Sequence, residues 1–454
     1  MISVFSRKSG SSLALAIALA TGGTLIATAV LPEDASAQRA PRDRDRERSR
    51  DNNTQQEDGG GYSDAFREAY VPLDETIRAG GADFAALRPQ LDALAAILNT
   101  NDEKIAGGGL LFNAGIASQD QTLQLRGMEI MLSSGKVPAD QVGRYNFIAY
   151  QISNGQGDYA KARTYLQGAI DNNFTTDTIS APDLQIAMAE SFFASDELQA
   201  GFDFLRGAIA GRRDQGLSVD EQWYRRGVTV AYENETTPEV YEFATLWLAE
   251  YPSQDNWRDA VNVARNLNEF EGPEILDLFR LARKVGAMQD PSDYDYYVEA
   301  ADARRLPKEV RDVIQEGMAA GDVAQDNLFI SEALEIASGR IEADRADLPA
   351  LETDASAADA TLRTVVAAGD TFLSYEMFDK AAPFYERALS MEGVATDVIL
   401  TRLGMAQVGL GDFDAARASL GRVSGVRVPI AMLWAAYANE LEANAAPAPA
   451  PATM

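Results

Sequence analysis

Residues 154–166 read NGQGDYAKARTYL. Gly155, Gly157 and Ala160 match the G-x-G-x-x-A pattern of a turn that cradles a dinucleotide pyrophosphate. Asp177 lies about twenty positions on, where such a site wants an acid for the ribose. That turn needs a strand before it and a second parallel strand after its helix. The preceding YNFIAYQI (145–152) passes locally for a strand. The stretch is therefore either a cofactor loop in an enzyme or a tight turn between two helices.

Internal echoes decide between them. RYNFIAYQISNGQGDYAKARTYLQGAI (144–170) and DVILTRLGMAQVGLGDFDAARASLGRV (397–423) share one pattern: an amphipathic helix, Gly-x-Gly-Asp-aromatic, then small and apolar residues at helical spacing. Tyr159, Ala162, Leu166 and Ala169 correspond to Phe413, Ala416, Leu420 and Val423. VVAAGDTFLSYEMFDKAAPFYERALSM (365–391) repeats the offsets with Phe378, Ala381, Tyr385 and Ala388. AMAESFFASDELQAGFDFLRGAI (187–209) does so more loosely with Leu198, Gly201, Leu205 and Ala208. The equivalents of YNFIAYQI are interrupted by Ala and Gly at helical spacing, and Asp177 lies in a loop, NNFTTDTISAPD. No strand fits, and dinucleotide binding is set aside. Gly157 ends one helix, Asp158 caps the next, and Tyr159 opens its buried face.

This grammar resembles the tetratricopeptide repeat family, which asks for a small residue inside helix A, an aromatic opening helix B, then Ala, aromatic and Ala along helix B. The resemblance covers 360–442 best and 137–345 in degraded form; Trp223–Tyr251 keeps the Trp-x-x-x-Gly start of a first helix. It implies an all-α, right-handed solenoid of antiparallel helix pairs with no significant sheet. Small residues such as Gly404, Ala381 and Ala162 should let backbones approach, with Tyr385 and Phe413 filling the groove of the neighbouring pair. It also implies that helix A lines a concave, partner-binding face. The matching positions are Arg144, Phe147, Gln151 and Asn154; then Asp183, Ile186, Glu190 and Phe193; then Glu221, Tyr224 and Tyr232. At the C-terminal end they are Arg363, Val366, Asp370 and Leu373. Residues 62–136 and 253–360 are helical by periodicity without matching the motif, as in DFAALRPQLDALAAIL, GPEILDLFRLARKVGAM and LPKEVRDVIQEGMAAG.

Composition narrows the chemistry. The 454 residues contain no Cys and no His, which removes thiolate metal sites, the usual zinc ligand and every Ser-His-Asp or Cys-His nucleophile. No catalytic residue, cofactor or metal is expected. A net charge of -29 disfavours nucleic acid and anionic lipid and favours a partner with a basic face. The acidic run DPSDYDYY (290–297) lacks calcium-loop spacing and reads as a solvated helix start. The dense aromatics Phe192, Phe193, Phe202, Phe204, Trp223, Tyr224 and Tyr232 read as core between adjacent pairs, or as anchors for a partner.

The N-terminus has the parts of a secretory signal: Arg7 and Lys8, an apolar stretch from Leu13 to Leu31, and Ala35-Ser36-Ala37 before Gln38. A signal peptide over 1–37, cleaved after Ala37, predicts a periplasmic or secreted protein without a later membrane segment; an uncleaved N-terminal anchor is the alternative. Residues 38–61, alternating Arg and acid, read as a disordered arm, or on a sharper reading a tether for an envelope polysaccharide, and 443–454 as a Pro-Ala tail. An Ala-, Asp- and Pro-rich stretch at 344–361 marks a candidate module boundary. The expected role is a non-catalytic scaffold or adaptor of the cell envelope. The alternative is a polysaccharide- or peptidoglycan-associated hydrolase or accessory factor using paired carboxylates.

Overall fold

The structure, a computed structural model, describes residues 61–445. The expected signal, nearly all of the charged arm and residues 446–454 of the tail lie outside the described residues. Within them are twenty α-helices and no strand; one isolated bridge joins Thr176 and Ile179. No described helix is long and apolar enough to cross a membrane. Packing divides the chain into two units that meet in sequence at Leu217 and Ser218.

In the first unit the helices are α1 (Asp64–Arg78), α2 (Phe84–Ala96), α3 (Asn101–Ala117), α4 (Gln121–Ser133), α5 (Ala139–Gly155), α6 (Tyr159–Asp171), α7 (Ala181–Ala194) and α8 (Leu198–Asp214). Packing runs mainly between successive helices, which form antiparallel-type pairs joined by short turns. Helices α3, α4 and α5 each feed two consecutive cores. Leu111 of α3 packs with Phe66, Leu91 and Leu94, whereas the adjacent Phe112 packs with Met128, Tyr145 and Ala149. Phe147 and Tyr150 then join Leu166, Leu184 and Met188. No single pair can bury its apolar faces alone, so each depends on the next.

The opening stretch is a helix–turn–helix. Gly157 has φ +76°, a left-handed conformation that a side chain would strain. The Asp158 carboxylate accepts from the Lys161 amide, and Ala162, Leu166 and Ala169 are fully buried. The residue that opens each echoed second helix (Tyr159, Leu198, Phe378, Phe413) is only half-buried; the small and apolar positions that follow carry the burial, Ala208 excepted. Between α3 and α4 the backbones come closer still. A Cβ at Gly127 would lie 2.5 Å from the Phe112 amide nitrogen and 2.6 Å from the Gly108 carbonyl oxygen. Within 62–136, α3 and α4 thus form a close helix pair.

The second unit comprises α9 (Glu221–Glu233), α10 (Glu239–Glu250), α11 (Gln254–Leu267), α12 (Gly272–Lys284), α13 (Pro291–Ala301), α14 (Pro307–Ala320) and α15 (Leu328–Ser356). It continues through α16 (Leu362–Ser374), α17 (Phe378–Leu389), α18 (Thr396–Leu410), α19 (Phe413–Leu420), a 3-10 turn at Gly425–Arg427 and α20 (Val428–Ala445). Successive helices again pair, but α20 also packs on α10, α11, α12 and α18. This unit therefore closes on itself. The stretch at 344–361 is helix as far as Ser356, because Ile341, Leu348 and Ala355 recur every seventh residue and keep one face of α15 buried. Tyr385 packs closely within its own pair: a Cβ on Gly369 would lie 2.8 Å from its ring. The acidic run at 290–297 does start a helix, yet Asp293 is buried, accepting from the Gln289 and Asp290 amides and pairing with Arg265.

Candidate functional site

Helix α12 reads GPEILDLFRLARK, and Leu276, Leu278, Phe279, Leu281 and Ala282 bury it on nearly every side. A helix apolar all round belongs in a core, yet this one carries Asp277 and Arg280 inward at i, i+3. Asp277 is fully buried. Its carboxylate accepts from Arg280 Nη1 at 2.9 Å, Arg402 Nε at 3.2 Å and Arg427 Nη1 at 2.7 Å. Its main-chain oxygen accepts from the indole of Trp434 at 3.0 Å. One residue of α12 thereby holds α18, the 3-10 turn and α20.

The cluster extends outward through matched partners. Arg280 grips Glu309 of α14 bidentately, both bonds 2.7 Å, and the Tyr297 hydroxyl donates to the same carboxylate. Arg402 holds both oxygens of Asp370 at 2.8 Å, and the Tyr385 hydroxyl donates to that carboxylate. Arg427 Nη2 lies 2.9 Å from Glu274. Three guanidiniums thus meet four carboxylates. Burial pushes Asp277 up, but the guanidiniums of Arg402, Arg280 and Arg427 outweigh it and hold its pKa below the usual carboxylate value. Glu309 is likewise held low by Arg280 against its burial. Burial and the adjacent carboxylates raise Tyr297 and Tyr385 well above 10. The acids lose their contribution only as pH falls below the ordinary carboxylate range, the tyrosines only above their usual pKa. Asp277, Glu309, Tyr297 and Tyr385 are thus each shifted away from neutrality, the opposite of a general acid or base poised near pH 7.

Beside this cluster lies a cavity of about 270 Å³. Arg280, Arg283 and Lys284, on one face of α12, line it together with Tyr297 and Glu309. Mostly apolar residues of α16, α17, α18 and α20 form the rest, with Glu376 of the α16–α17 turn among them.

The positions expected to face a partner are distributed unevenly. Phe147 is buried and stacks on Phe174, with centroids 4.9 Å apart; Phe193 is buried against Phe202 at 5.2 Å. Asp183 is occupied as the return half of a capping box with Ser180. Arg144, Gln151, Asn154, Ile186 and Glu190 are half-buried on α5 and α7. In the second unit Tyr224 is fully buried, Tyr232 is half-buried, and Glu221 accepts from the Trp247 indole and the Asn256 amide. From the C-terminal set, Asp370 joins the ion cluster and Leu373 lines the cavity, while Arg363 is exposed and Val366 half-buried. Asp277, Arg280, Glu309, Arg402 and Arg427 were not singled out from sequence. The signal was present: a charge enclosed by apolar neighbours on all sides, as in EILDLFRLA and VILTRLGMA. Among the described residues no group of three or more acidic side chains is arranged to hold a metal ion. No known family model matches the chain, and no curated protein is similar to it.

Proposed function

We propose that this protein is an exported, non-catalytic adaptor that presents a tetratricopeptide-like helical surface to another protein of the cell envelope. The observation that carries the reading is the first unit's arrangement of successive helix pairs. There α5 and α7 anchor themselves by the buried Phe147 and Phe193 and leave a half-buried polar row, Arg144, Gln151, Asn154 and Glu190. Half-buried polar groups on a rigid helical frame give orientation to a bound segment at low entropic cost. The net charge of -29 favours a basic partner face and salt-sensitive association. The buried pairs of the second unit around Asp277 and Glu309, whose pKa values are held low by arginines, serve architecture better than proton transfer. The Arg7–Ala37 segment supports export.

A photo-crosslinking residue at Gln151, compared with one at Thr164 on the exposed side of α6, tests this reading in the envelope fraction of the producing cell. A partner captured from Gln151 and not from Thr164, and released by salt, is the expected result. Capture no better than from an unrelated acidic protein sinks the adaptor. An N-terminus beginning at Gln38 is expected for the exported form.

A further inference from the structure

The cavity of the second unit has the chemistry of a ligand site. Its volume of about 270 Å³ stands near the lower end of the ~300–1,000 Å³ typical of small-molecule sites. Leu373, Phe378, Met405, Val408, Trp434 and Leu441 supply an apolar wall drawn from four helices. The lining also includes Arg280, Arg283 and Lys284, at i, i+3 and i+4 on α12. The lining holds these three cations against two carboxylates, Glu309 and Glu376, in a chain whose net charge is -29. An apolar wall beside three cations, each paired with a carboxylate, suits an apolar anion able to exchange with one of those carboxylates.

The three cations differ in how firmly they are held. Arg280 is buried and committed to Glu309 and Asp277. Arg283 is held bidentately by Glu316, at 2.7 and 2.6 Å. Lys284 makes a single bond, 2.6 Å, to Glu376 in the α16–α17 turn, and these are the two exposed side chains of the lining. An exposed ion pair of this kind contributes little to stability, so an incoming carboxylate can take the place of Glu376 at modest cost. Of the two lining carboxylates, Glu309 is already taken by Arg280 and the Tyr297 hydroxyl, and Glu376 would offer a cationic head a carboxylate that also feels the charges of Lys284, Arg283 and Lys308.

We propose that this cavity binds an aliphatic carboxylate of the medium-chain fatty-acid class, its chain against Met405, Val408 and Trp434 and its carboxylate on Lys284 in place of Glu376. The site is separate from the surface assigned to the adaptor, so either reading can fail without the other. Titration of the full mature chain with decanoate, decanol and decyltrimethylammonium, followed by calorimetry, tests it. Decanoate is expected to bind at one site at least tenfold tighter than either competitor. Lys284→Gln should bring decanoate down to the level of decanol and leave decanol unchanged. Glu376→Gln should tighten decanoate several-fold, a gain that misfolding cannot imitate. Met405→Trp, which fills the cavity, should abolish all binding. Decanoate binding no tighter than decanol, tighter binding of the cation, or no gain from Glu376→Gln would overturn the assignment.

Discussion

The two units are built from the same helix pairs and held together in different ways. In the first, the one fully buried charge among the described residues is Glu103, and its partners, the Asn99 and Thr100 amides and the Ser63 amide and hydroxyl, are all within 40 residues. Its ion pairs, such as Lys161–Glu129 and Arg163–Glu197, join helices one or two turns of chain apart and reach solvent. In the second unit Asp277 reaches Arg402 across 125 residues and Arg427 across 150, and Trp257 donates to Glu440 across 183. A stack of nearest neighbours can lose one contact and keep the rest. A unit closed by long-range contacts folds more slowly and more as a whole. The buried cluster fixes which end meets which, because any other closure leaves a guanidinium in the core without a carboxylate.

The comparison can be broken by perturbing one unit and reading both. All four tryptophans (Trp223, Trp247, Trp257 and Trp434) lie in the second unit, so their fluorescence reports that unit, while far-UV circular dichroism reports both. Asp277→Ala should have the largest effect, about 4 kcal/mol, because it strands three buried guanidiniums. In urea the fluorescence transition should move far to lower concentration while a helical component persists; an equal shift of both signals would refute independent units. Gly127→Ala should cost about 3 kcal/mol by forcing α3 and α4 apart, moving the helical signal and leaving the fluorescence midpoint alone.

A smaller effect, about 2 kcal/mol, is expected for Glu103→Gln, which removes charge-assisted bonds from a buried site. Burial raises the pKa of Glu103, but the bonds from Ser63, Thr100 and Asn99 prevail and lower it to about 2. Its folded pKa lies below the unfolded value, so its stabilisation is complete above the ordinary value of 4.5 and fades as pH falls towards 2. The stability gap between wild type and variant should close across that window. Gly157→Ala should cost least, about 1 kcal/mol, the strain of a side chain at positive φ; a neutral result would mean that the turn relaxes.

Much of the helical frame was legible in the sequence. The NGQGDYAKARTYL turn, its echoes at 378–388 and 413–423, and the burial of Ala162, Leu166, Tyr385 and Leu420 follow from helical spacing, turn chemistry and size. The close approach of α3 and α4 was not read, although glycines at 107–109, 115 and 127 were its trace. Phe147, Phe193 and Tyr224 were assigned to a partner-facing surface, yet they are buried in the protein's own core. An aromatic on a helix does not reveal whether its neighbour is another helix of the chain or a guest.

What the sequence determined by itself is local: which segments are helices, where they turn, and which residues of each must leave water. Those properties depend on backbone preference and on the period of apolar residues, and both are written within some thirty residues. Only the tertiary structure decided that α20 returns to α10, α11, α12 and α18, and that Asp277 is the point where three arginines converge. A carboxylate and a guanidinium more than a hundred residues apart carry no mark of their pairing. Their partnership exists only once burial has removed the water that would otherwise satisfy each of them.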